Sequence, residues 1–198
     1  DAHKRVFTEQ VQAPFVALVE AAASRLGRAA PDLGSPKVFR IYRDLRFSKD
    51  KTPYKTSMSA SVPHRPAGQA EGKGVDTGYY VNVGPAGLYV ASGLYHPDRS
   101  ALERARAAIA DPDTGGELEA ILRRAAAKGL QPWLNPLQRM PKPWPADHPR
   151  ADLLKARSLI LNRQHDRAPW LHTPELLDRL VADWRAMVPF NDWLARVP

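Results

Sequence analysis

The sequence predicts a single α+β domain over residues 1–198. A small, mainly antiparallel sheet from the central segment is packed by N- and C-terminal helices. Three observations predict it. Apolar residues recur at three- and four-residue steps near both ends, the period of a helix with one buried face. In the middle, aromatic and β-branched residues flank a turn containing Gly and Pro, the pattern of a hairpin. The chain has 198 residues, 43% of them hydrophobic and 25% charged. That suffices for one core burying roughly 70% of the unfolded surface.

Residues 1–27 read as a helix with Val6/Phe7, Val11, Phe15, Leu18/Val19, Ala22 and Leu26 on one stripe. Pro14 predicts a kink, because it lacks an N–H and crowds the preceding turn. Gly27 is the expected stop. The chain opens without Met and inside this pattern, so a natural N-terminus is expected to be missing. Residues 37–62 suit an extended element, a loop, and a strand at 57–62. Residues 63–78 are rich in Gly and Pro and read as a mobile loop. Strand formers at 79–83 and 88–91 enclose a turn at 84–87. The next helix is expected near Ser100, where Ser100 and Glu103 have capping-box spacing. Another is expected at 116–128, ended by Gly129. Six prolines between 131 and 149 predict an irregular connection, and a helix at 150–162 follows it. The last helix is expected to start at Thr173-Pro174-Glu175, with Thr as N-cap and Pro in the first helical position. Leu176/Leu177, Leu180/Val181, Trp184 and Met187/Val188 would form its buried stripe. Most of the five tryptophans read as packing anchors.

The absence of cysteine excludes disulfides, thiolate metal sites, iron–sulfur clusters and cysteine nucleophiles. No apolar run reaches 18 residues, so no membrane span is expected. No signal-type segment follows the first residues, and a cytoplasmic location fits. The six histidines form no His-x-x-x-His pair, which predicts no metal site. No cofactor is indicated, since there is neither a dinucleotide fingerprint nor a nucleophile elbow. A net charge of +8 fits either an Arg-biased surface or an anionic partner.

The segment 39–56 separates those two readings best. Six of its eighteen residues are cationic, four are aromatic and two are acidic. Cations donate to phosphate or carboxylate, and rings offer stacking surfaces. If 39–47 is extended, Phe39, Ile41, Arg43, Leu45 and Phe47 share an inward face. Arg40, Tyr42, Asp44 and Arg46 then face outward, with Asp44 placed to orient a guanidinium. Pro53 and three Ser or Thr residues give 48–56 loop chemistry. Arg40, Arg43, Asp44, Arg46, Lys49, Lys51, Tyr54 and Lys55 are the candidate anion-binding residues. Tyr95, His96, Lys142, His148 and Lys155 are candidates for the site's periphery. Tyr79, Tyr80, Tyr89 and Tyr95 offer rings for stacking or for the core, and alternation puts Tyr79 and Tyr80 on opposite faces. His165 and Asp166 are neighbours in sequence, which does not imply a hydrogen bond between them.

The run from Phe39 to Thr56 resembles the signature of the "domain of unknown function 2461" family. Similar pieces follow in order: Gly78-Tyr79-Tyr80, Gly93-Leu94-Tyr95, the stretch 141–149 with Pro-Lys-Pro-Trp-Pro-Ala-Asp-His-Pro, Leu153-Leu154-Lys155, and 189–194. The resemblance covers nearly the whole chain. It implies one domain and no particular reaction, so no catalytic residues are carried over. It implies a functional surface at the motif residues only.

Three readings follow. The first is binding of an anionic, phosphorylated small molecule by residues 39–56. The second is nucleic-acid binding along the same strip. The third is a structural or interaction module in which buried guanidiniums pair with Asp44 and Asp50 as an internal ionic lock. The sequence assigns no reaction and no oligomeric state.

Overall fold

The computed structural model describes residues 3–43, 46, 51–64 and 77–196. The opening helix runs through Lys4–Phe7, a π turn at Thr8–Gln12 and Ala13–Leu26, together α1. Where a kink was expected at Pro14, the helix carries that π turn. The Ala13 amide donates to the Thr8 carbonyl five residues back, which widens the helix just before the proline. Then come β1 (Lys37–Val38), β2 (Met58–His64), β3 (Thr77–Gly84) and β4 (Gly87–Leu94). Helices α2 (Arg99–Ala110) and α3 (Pro112–Ala127) follow, then β5 (Gln131–Trp133). Short α4 (Ala151–Leu154), β6 (Leu159–His165), a 3-10 turn at Pro169–His172 and α5 (Glu175–Arg196) complete the order.

The fold is α+β, with a six-stranded sheet in the order β1-β2-β3-β4-β6-β5 and every neighbouring pair antiparallel. Register sets two faces. Val62 opposes Tyr79, Ala60 opposes Val81, Val81 opposes Val90, and Ser92 opposes Leu161. These residues are buried on the core face, under Trp184, Met187 and Phe190 of α5. The Trp184 indole N–H donates to the Tyr80 carbonyl at 3.3 Å, so a large ring is buried without a stranded donor. Alternation puts Tyr80, Tyr89, Asn162 and Trp133 on the other face, which carries no helix among the described residues. Trp184 and Trp193 are the packing anchors expected, whereas Trp133 is 42% exposed.

Several elements differ from the sequence expectation. The helix expected at 150–162 is only one turn long, and Leu159–His165 is instead the strand β6. Leu159-Ile160-Leu161 is apolar at three successive positions, too short a run to show a period. Between β4 and β5 it is buried on both faces, where such a run is a strand. The sheet thus draws on residues beyond the central segment. Pro132 is tolerated because β5 is an edge strand. The capping box at Ser100 does not form. Asp98 caps α2, accepting from the Ala101 amide at 2.7 Å and the Ser100 hydroxyl at 2.9 Å. Helix α3 starts earlier than expected, capped by Asp111. Within the loop expected at 63–78, Pro63 and His64 belong to β2, and Thr77 and Gly78 to β3. The rest of that loop lies outside the described residues.

Candidate functional site

The basic-aromatic motif continues the β1–β2 pairing as two extended arms. Phe39 donates its amide to the Ser59 carbonyl, Lys55 to Ile41, and Arg43 to Pro53, at 2.9, 2.7 and 2.9 Å. Val38 faces Ala60 and Tyr42 faces Tyr54, so four steps on the first arm match six on the second. That offset breaks the strand alternation. Phe39 and Ile41 were expected on one face, and the structure separates them. Phe39 lies 6.3 Å ring to ring from Tyr80 on the helix-free sheet face, while Ile41 packs against the core. The motif's root therefore stands between two clefts.

The first cleft, about 800 Å³, lies between α1, the motif, the β3–β4 turn and the start of α5. Phe15, Leu18, Met58 and Leu176 are among its apolar walls. Lys55, Thr56 and Ser57 line it from the motif side, and Arg167, His172 and Thr173 from the segment before α5. The Thr173 hydroxyl donates to the Trp170 carbonyl and accepts from the Glu175 amide, which fixes the entry into α5. The second cleft, about 830 Å³, lies on the helix-free sheet face. Phe39, Tyr80, Tyr89, Tyr95 and Trp133 line it, with Ser61 and Asn162. Tyr80 meets Tyr89 edge-on at 6.2 Å, and Tyr95 stacks on Trp133 at 6.2 Å. As alternation requires, Tyr79 points away into the core and is 1% exposed.

Among the described candidate anion-binding residues, Lys55 alone lines either of these two clefts. Arg40, Arg46, Lys51 and Tyr54 are exposed and Arg43 is half-buried. Tyr42 and Tyr54 are 62% and 52% exposed, with ring centroids 5.4 Å apart. Asp44, Lys49 and Asp50 lie outside the described residues, and so do the aspartates proposed for an ionic lock. Of the peripheral candidates, Tyr95 reaches the aromatic cleft, with His96 packed edge-on against it at 4.2 Å. His96 holds a left-handed backbone, φ 52°, which is uncommon outside glycine. Lys142, His148 and Lys155 sit in the connection before β6 and are not among the lining residues of either cleft. The His148 Nδ1 accepts the Arg150 amide at 3.0 Å, a local turn contact.

Sequence reasoning missed Arg167 and His172, which lie more than a hundred residues from Lys55 and carry no motif. It also missed two buried histidine contacts. His165 hydrogen-bonds Asp183 of α5, not its neighbour Asp166, and Arg163 reaches the same carboxylate at 3.2 Å. This ties β6 to α5 beneath the Trp170 ring, which Arg179 covers at 4.6 Å. His64 is 3% exposed, with Nε2 3.9 Å from Asp192 Oδ1. Burial holds its pKa below the ordinary histidine value, against the pull of Asp192 and Asp32. Burial likewise pushes the Asp192 carboxyl up. Among the described residues no group of three or more His, Asp or Glu side chains is placed to hold a metal ion. None of their helices is long and apolar enough to cross a membrane.

No curated protein and no solved structure matches the chain. Residues 1–193 match the model of the family described as conserved hypothetical protein (DUF2461). That match spans nearly the whole sequence and includes the basic-aromatic motif, so the chain belongs to this family.

Proposed function

We propose that the chain binds a small amphipathic anion in the cleft between α1, the motif and the start of α5. Lys55 and Arg167 hold a phosphate or carboxylate head, Thr56 and Ser57 add hydroxyl contacts, and the apolar part lies against Phe15, Leu18 and Leu176. The observation that carries this reading is one shared cleft. Lys55 and Thr56 of the basic motif line it together with Arg167 and His172 from a segment distant in sequence. Lys55 and Arg167 are exposed cations among the residues lining the cleft, and their hydrogen bonds to an anion would be charge-assisted, a class stronger than neutral ones. The apolar part adds roughly 25 cal/mol for each Å² it buries. A cleft of this size is typical of small-ligand sites. Exposed Arg40 and Arg46 add attraction at longer range, screened over about 8 Å at physiological salt.

A second reading has its own observation. The exposed Tyr42–Tyr54 ring pair, on a motif that also carries the exposed Arg40 and Arg46, offers a stacking step for a single-stranded oligonucleotide.

Thermal unfolding at low salt with octyl phosphate, octanoate, a hexose phosphate and an oligothymidylate tests both. A ligand of the folded state at ~100 times its Kd stabilises by about 2.7 kcal/mol. The expected result is a rise with octyl phosphate that Lys55→Ala and Arg167→Ala each reduce. Losing one charged hydrogen bond costs about 1.5–3 kcal/mol, a roughly 10- to 150-fold weaker Kd. A rise with oligothymidylate alone, steeply salt-dependent and removed by Tyr54→Ala, would replace this reading with the second. No rise with any anion would overturn both.

A further inference from the structure

The aromatic cleft on the helix-free sheet face differs in chemistry from the cleft just described. In a chain of net charge +8, none of the described residues that line it is charged. Rings form much of its wall, and its polar groups include the hydroxyls of Tyr80, Tyr89, Tyr95 and Ser61 and the Asn162 amide. The Asn162 amide donates to the Gln131 carbonyl at 3.0 Å, which fixes that side chain on the cleft floor. Burial pushes the Tyr89 phenol up, and the nearby phenols of Tyr80 and Tyr95 act in the same direction. The Tyr89 hydroxyl therefore stays neutral and serves as both donor and acceptor. Tyr95 and Trp133 are 68% and 42% exposed, so ring faces remain accessible at the cleft's end.

We propose that this cleft is a binding site for an uncharged saccharide. Among the described residues the lining offers no counter-charge, which argues against an ionic ligand, because an ion beside them would lose water without gaining one. Ring orientation then chooses between neutral ligands. On the cleft floor Phe39 and Tyr80 are inclined at 44°, and Tyr80 and Tyr89 at 67°, while Tyr95 and Trp133 at its end lie closer to parallel, at 27°. A planar base gains most from parallel overlap with a ring. Inclined rings form a faceted floor that follows the puckered C–H face of a sugar. The negative π face of each ring attracts those weakly positive hydrogens. The sugar's hydroxyls then meet the phenols, Ser61 and Asn162. A volume of about 830 Å³ admits two or three sugar units, within the range of small-ligand sites. This inference does not depend on the anion site, since it uses different residues on a different face.

The test uses the full chain and three neutral probes, maltotriose, cellotriose and triacetylchitotriose, with adenosine as the planar comparison. Saturation-transfer NMR reports contact, and calorimetry gives the Kd. The expected result is transfer to at least one saccharide at millimolar concentration, with binding weakened at least tenfold in Trp133→Ala and in Tyr95→Ala. Both positions are exposed at the cleft's end, so each variant should keep the parent's unfolding temperature, and octyl phosphate binding should be unchanged. Transfer to adenosine and to none of the saccharides would overturn the assignment. So would silence from all three saccharides, or saccharide binding that both variants retain.

Discussion

Gly115 and Gly116 are identical neighbours in α3, and the structure assigns them opposite responses to alanine. A Cβ on Gly115 would fall 2.2 Å from the Ile109 carbonyl oxygen and 2.7 Å from Arg150 Nη1. That guanidinium donates to the carbonyls of Ile109, Asp111 and Pro112 at 3.2, 3.1 and 3.2 Å, tying the end of α2 to the start of α3. Ala at 115 displaces it, and a backbone oxygen must move as well. Hydrogen bonds to a charged group contribute about 1.5–3 kcal/mol, and forced overpacking costs about 1–3 kcal/mol. The expected loss for Gly115→Ala is about 3 kcal/mol, a large share of a typical ~5–15 kcal/mol total. At Gly116 the nearest atom to a new Cβ is Arg150 Nη2 at 3.7 Å, an ordinary contact. There alanine only removes the backbone-entropy cost of glycine in a helix, a gain of about 0.5–1 kcal/mol. Urea unfolding of both variants measures the difference. Equal effects, or a Gly115→Ala loss below about 1 kcal/mol, would refute the placement of Arg150 against this helix junction.

The helix cap is testable in the same way. Asp98→Ala should cost about 1 kcal/mol and Ser100→Ala much less in thermal unfolding, the reverse of what a capping box at Ser100 requires. His64 gives a pH dependence. Its folded pKa lies below the unfolded value of 6.5, so the unfolded chain takes up the proton first as pH falls. Stability is complete above about 6.5 and declines below it, by at most about 1.4 kcal/mol per pH unit. Asp192 has its folded pKa raised from 3.8, so its contribution has the opposite sign and belongs to more acidic solution. Unfolding temperatures between about pH 7.5 and 5.5 should fall in the parent, with a flatter profile in His64→Gln. An unchanged profile would remove His64 as the cause.

Both terminal helices were legible because each is long enough to show its period, and the β3–β4 hairpin because strand formers flank a Gly-Pro turn. Period-two alternation separated Tyr79 from Tyr80 and put Arg40 and Tyr42 on the solvent side. It failed at Phe39, which lies on the helix-free face while Ile41 packs inward as expected, because the unequal arms of the motif reset the face, and nothing in the local residues reports a partner's spacing. Strand β6 was hidden for a related reason. Three consecutive apolar residues are equally at home in a buried helix or a buried strand, and only pairing with β4 and β5 decides. Lys55 was legible as a site candidate from its motif. Arg167 and His172 were not, since only tertiary packing brings them to the same cleft. The aromatic cleft was half legible: its tyrosines stood out, but Trp133 belongs to a strand that six nearby prolines concealed.

The proposed anion site is tested most directly by amide chemical-shift mapping with octyl phosphate. The largest shifts are expected at Lys55, Thr56, Ser57 and around Arg167 and His172, with little change at Tyr80, Tyr89 and Trp133. Shifts centred on Tyr42 and Tyr54, shifts in the aromatic cleft, or no saturable shifts would contradict it.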